Sequence, residues 1–131
     1  MPQDQNTGAA GNAFGRETAK QIARAIGASL LGKSSNEATY QGNQVVIKCA
    51  RAATSSVGVT YNMIERIHSV IGAFQQADGS FSVISIPAEV FKNEMRETKS
   101  QGSSAGKVGL VSRSVFVSKG KEIKTVTVAK P

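Results

Sequence analysis

The sequence predicts an α/β protein: a mixed central β-sheet flanked by helices, in the order helix, three to four strands, helix, strand. Three observations carry that expectation. Ala19, Ile22, Ala23, Ile26 and Leu30 recur at helical spacing near the start. "EATYQGNQVVIKCA" then holds two strand-like runs around a Gly-Asn pair. Finally, Pro87 separates the strand-like "FSVISIP" from the helical "AEVFKNEMRETK", and a strand-rich basic end follows.

Taken in order, residues 1–13 are Gly, Asn, Gln and Ala with no periodic pattern, and read as a flexible tail before a single domain over 14–131. The first helix begins near Gly15, places Arg16, Lys20 and Arg24 on a polar face, and closes at "GKSSN". In the following hairpin, a turn at Gly42-Asn43 would set Tyr40 against Val45 and Glu37 against Lys48. Alternation then puts Ala38, Tyr40, Val45, Ile47 and Cys49 on an apolar face, with Glu37, Thr39, Gln41, Gln44, Val46 and Lys48 on the other. Residues 51–66 read as a loop leading into a short helix near Tyr61. "IHSVIGAF" and "FSVISIP" form a second hairpin turning at Asp78-Gly79. A helix over 60–74 competes, but β-branched residues favour the strand. The helix after Pro87 turns Val90, Phe91 and Met95 inward, "SQGSSAG" is a loop, and residues 107–130 read as a β-ribbon turning at Lys119 to Lys121.

Composition bounds the function. The 131 residues are 40% hydrophobic with seven aromatics and no Trp, so the core rests on Val, Ile, Leu and Ala. No run approaches the ~20 apolar residues of a membrane span, and the N-terminus lacks a signal peptide, so a cytoplasmic protein is expected. A single Cys49 and a single His68 do not suit a zinc site, and Cys49 reads as a buried thiol. No P-loop, dinucleotide fingerprint, GxSxG elbow or HExxH motif is present in the sequence. The net charge is +7, and six of those charges fall in the last 40 residues. Such asymmetry suits a polyanion, nucleic acid first among them; a contact to an acidic protein is the alternative.

Lys48 poses the sharpest question, because an ammonium within an apolar run needs water or an anionic partner. Glu37 supplies one in the expected register, and the plain reading is a cross-strand ion pair of about 0.2–1 kcal/mol. A functional reading comes from the joint pattern of Glu17 in the first helical turn, Glu37 entering a strand, and Lys48 in "VVIKCA". This order resembles the PD-(D/E)xK, or restriction-endonuclease-like, nuclease superfamily over residues 14–98. The resemblance implies a restriction-endonuclease-like core, a metal held by Glu17 and Glu37, and catalytic roles for Glu37, Lys48 and, as a neutral oxygen donor, Gln44. One acid of the pattern falls on Val46, with Glu65 as a migrated substitute.

In that chemistry, carboxylates hold Mg²⁺ (or Mn²⁺), which polarises a phosphodiester and acidifies bound water. The lysine orients that water and offsets charge on phosphate. Arg51, Lys107, Arg113, Lys119, Lys121 and Lys124 are the expected contacts to the nucleic-acid backbone, DNA in preference to RNA. A homodimer is implied where two strands are cut. The alternatives are a binding module that uses the same basic surface without catalysis, and a partner-binding subunit.

Overall fold

The computed structural model describes residues 17–31, 37–52, 54, 56–97 and 108–127. Helix α1 covers 17–26 and is followed by strands β1 (Ser29–Leu30), β2 (Glu37–Tyr40), β3 (Asn43–Ala50) and β4 (Ser56–Thr60). Next come α2 (Tyr61–Ile64), β5 (Ser69–Gln75), β6 (Phe81–Pro87), α3 (Ala88–Glu94) and β7 (Arg96–Glu97). The order closes with β8 (Val108–Ser112), α4 (Arg113–Lys119) and β9 (Lys121–Val126). The expected tail, the "GKSSN" turn and the "SQGSSAG" loop lie outside the described residues.

Six strands form a mixed central sheet in the order β1-β2-β3-β5-β6-β9, and β4-β8-β7 form a second sheet. Strand β3 runs parallel to β5, whereas the other neighbours in the central sheet are antiparallel. A parallel neighbour requires a crossover, and β4 with α2 provides it. The strand count therefore exceeds the expected four to five.

Alternation sorts the two faces of the central sheet as the sequence does. Ala38, Val45, Ile47, Ile71, Ala73, Phe81 and Val83 pack under Ala19, Ile22 and Ala23 of α1. Val46, Ala50, Val70, Phe74, Ile84 and Ile86 face the other way, against Val57, Ile64, Phe91, Val111 and Phe116 of the second sheet and helices α2 to α4. The strand over 69–75 prevails over the competing helix, and its hairpin turns through Gly79 as expected.

Four expectations are corrected. The first helix ends at residue 26, where Gly27 follows with φ of 82°, so Leu30 falls in β1. The helix after Pro87 ends at Glu94, so Met95 lies beyond it and Arg96–Glu97 form β7. The hairpin turns at Gln41-Gly42 rather than Gly42-Asn43, because Gln41 and Gly42 take positive φ of 52° and 82°. A two-residue loop of this kind needs positive φ at both positions, and Asn43 becomes the first residue of β3. The residues 107–130 are not one ribbon: β8 joins the second sheet, β9 joins the central one, and α4 lies between them. Val115 and Val117 lower helix propensity by about half a kcal/mol each, whereas burying the Phe116 side chain gives about 2–3 kcal/mol. Burial decides the helix, with Phe116 at 0% exposure against the rings of Phe74 and Phe91.

Candidate nucleic-acid interface

Glu37 opens β2 directly opposite Val46, two positions short of Lys48. The register slip is an even number of residues, so Glu37, Gln44 and Lys48 keep the shared face that the sequence assigns them. The amide of Gln44 donates to Glu37 Oε2 at 2.5 Å. Arg66, just beyond α2, forms an ion pair with Glu37 Oε1 at 3.2 Å and donates to Oε2 at 3.3 Å. Glu37 is only 15% exposed, so its carboxylate is neutralised by a guanidinium within the fold. Lys48 stands across from Gly72 of β5 instead of across from Glu37. Among the described residues no carboxylate forms an ion pair with it, and burial holds its ammonium below the ordinary 10.5.

Glu17 sits on α1, over the opposite face, exposed and paired with Lys20 at 3.5 Å. Glu65 pairs with Lys92 at 2.9 Å. Magnesium sites draw on converging hard oxygens, yet the fold separates Glu17 from Glu37 by the thickness of the sheet and buries Val46 between Gln44 and Lys48. Among the described residues no group of three or more His, Cys, Asp and Glu could hold a metal ion. The donor set does not fit the ion. His68 is exposed, with Nδ1 2.8 Å from Ser69 Oγ.

The basic residues divide three ways. Arg113 turns inward: its Nη2 donates to the carbonyls of Arg51 (3.4 Å), Thr54 (3.4 Å) and Gln75 (3.3 Å). Its guanidinium also lies 5.1 Å from the Phe74 ring centroid, a stacking geometry that favours a cation. Arg113 thus clamps the fold, in place of the phosphate contact expected of it. Arg51 is exposed just past β3, and Lys107 is outside the described residues.

Lys119, Lys121 and Lys124 form the third group, and a backbone irregularity organises them. The pairing of β6 with β9 shifts between Val83 and Ile84, so Lys124 faces Val83, Glu122 faces Ile84 and Lys121 faces Ser85. Ile123 is the extra residue of this bulge. Strict alternation would set Lys121 and Lys124 on opposite faces; the bulge returns both to the face of α1. The ammonium of Lys124 donates to the Ala25 carbonyl at 3.3 Å, near the C-terminal end of α1, where the helix dipole favours a cation. Glu122 goes to the other face, its carboxylate accepting from Ser82 Oγ at 2.7 Å. Lys119 is exposed and 3.7 Å from Glu94.

Beside this lysine pair lies an open groove with a cavity volume of about 510 Å³. One wall is the tip of the β2–β3 hairpin, Tyr40 and Gln41; the other is the α4–β9 turn from Lys119 to Ile123, with Ser85 and Pro87 of β6. Gly120 closes that turn, and a side chain there would come within 2.5 Å of the Phe116 carbonyl and 2.8 Å of the Ser85 carbonyl. Lys119 and Lys121 of this groove were both marked in the sequence as candidates. Tyr40 and Ser85 were not, since the sequence marks Tyr40 only as an apolar-face residue and Ser85 as an ordinary strand position.

No protein-family model matches the chain, and no curated protein matches it in sequence. Among the described residues no helix is long and apolar enough to cross a membrane.

Proposed function

We propose that the chain binds nucleic acid along the β9 side of its central sheet and does not cut it. The observation that carries this reading is the bulge at Ile123, which gathers Lys121 and Lys124 on one face while turning Glu122 away. Two lysines so placed can follow a phosphate backbone, and the electrostatic gain needs no base sequence. The charge excess in the last 40 residues supports the same surface.

The fold supports a degenerate relative of the PD-(D/E)xK superfamily. A helix followed by the strands that carry Glu37 and Lys48, within a mixed central sheet, keeps the order that the resemblance implies. Catalysis is what the site geometry disfavours: Arg66 stands on the one carboxylate that β2 offers, and Val46 supplies no oxygen. The ligand in this reading is DNA in preference to RNA, and the setting is the cytoplasm, where a lone thiol stays reduced.

The deciding experiment follows end-labelled single-stranded, duplex and branched DNA with Mn²⁺, for the parent and for Lys48→Ala, with binding measured in parallel. Binding without cleavage by either protein is expected. Cleavage by the parent that is lost in Lys48→Ala would establish a working nuclease instead, and absence of binding at low salt would remove nucleic acid from the reading altogether.

A further inference from the structure

The groove beside the lysine pair says which form of nucleic acid fits. Its cavity, about 510 Å³, falls within the ~300–1,000 Å³ of clefts that enclose small ligands, so it has room for a nucleotide. Tyr40 is half-buried against the core under α1 and lines the groove. Across from it, Lys121 projects from the register position of Ser85, and Lys119 and Gly120 complete the turn. Glu122 also lines the groove, with its carboxylate accepting from Ser82 Oγ at 2.7 Å. A tyrosine and two lysines lining one groove, with the Glu122 carboxylate engaged by Ser82, can take a base by stacking and its phosphate by charge.

We infer that the groove formed by Tyr40, Ser85, Lys119 and Lys121 binds one unstacked nucleotide, and that the protein therefore selects single-stranded nucleic acid over duplex. The inference rests on the nucleic-acid reading above and narrows it. In a duplex the bases are stacked on one another, with phosphates outside and only base edges in the grooves, so a base cannot reach Tyr40. A single strand offers each base's π-face at little cost. Stacking is tolerant of base identity, so the selection is for strand form and not for sequence.

The test is fluorescence anisotropy at low salt with labelled oligothymidylate, oligouridylate and a hairpin duplex of matched charge, using the parent, Tyr40→Leu, Tyr40→Phe and Lys121→Gln. Melting curves of each variant confirm that it is folded. The single strands are expected to bind at least tenfold more tightly than the hairpin. Tyr40→Leu should lose about tenfold on the single strands alone, and Tyr40→Phe should retain affinity. The chain has no Trp, so tyrosine emission comes from Tyr40 and Tyr61, and its quenching by oligothymidylate should vanish in Tyr40→Leu. Equal affinity for hairpin and single strand, unchanged in Tyr40→Leu, overturns the inference and leaves backbone binding intact. No binding to any of the three overturns both. Oligouridylate against oligothymidylate separates RNA from DNA as the source of the strand.

Discussion

Lys48 carries its charge on a sheet face where its neighbours Val46 and Ala50 are buried. Burial disfavours the ammonium, so the folded chain gives up this proton more readily than the unfolded chain does, whose value is 10.5. Between the folded value and 10.5 the unfolded chain binds more protons, and the lysine's contribution to stability therefore rises with pH across that window. Lys48→Met removes the penalty: at pH 7 the variant should melt a few degrees above the parent, with the gap narrowing as the pH nears 10.5. A variant that melts lower throughout would show that the ammonium is held by an anion. Cys49 has the opposite sign, since burial pushes its thiol from 9.0 up to about 12 and the unfolded chain ionises first, costing stability in that range. Arg66 is a separate matter. Arg66→Met leaves the nearly buried Glu37 carboxylate without its cation and should destabilise by about 1–3 kcal/mol in urea unfolding. A loss below a few tenths would mean that Gln44 and water suffice.

The α4–β9 turn is where one residue decides the placement of a whole element. Gly120 packs against backbone carbonyls of Phe116 and Ser85, and backbone yields less readily than a side chain. Gly120→Ala should therefore cost about 1–3 kcal/mol of stability and weaken nucleic-acid binding together, because Lys119 and Lys121 flank it. Lower stability with unchanged affinity would detach the turn from the interface. The elements differ in how far the sequence revealed them. Helix α1 as far as Ile26 and the faces of β2 and β3 were legible, because their apolar spacing reports burial directly, whereas Leu30 continues the helical spacing yet lies in β1. The register was not, since Gly42 and Asn43 both tolerate positive φ and only the folded turn shows that Gln41 takes the other position. The sequence of strand β4 reads as loop, although Val57 and Val59 alternate around Gly58 and are both buried. Helix α4 was hidden by its valines, and the acid–lysine pairing by a slip of two residues that preserves every face.

Across the whole molecule, the basic excess gathers toward the C-terminal residues, where Glu94 pairs with Lys119 and Glu122 accepts from Ser82. If binding follows the phosphate backbone, log affinity should fall linearly with log salt, and Lys121→Gln and Lys124→Gln should each reduce that slope by about 0.7–0.9. An affinity indifferent to salt would point to a contact of another kind. Arg113→Gln, by contrast, should leave the slope alone and lower stability, as its guanidinium faces the interior. That inward turn has a further consequence. Arg113 begins α4 directly after β8 of the small sheet, yet its donors rest on carbonyls at the ends of β3 and β5 in the large one. Pulling β8 away strips those carbonyls of a donor and uncovers the Phe74 ring at once. Opening of either sheet is thereby charged to both, and the amides of β5 and β8 should exchange with deuterated solvent at a common rate, as one cooperative unit rather than two.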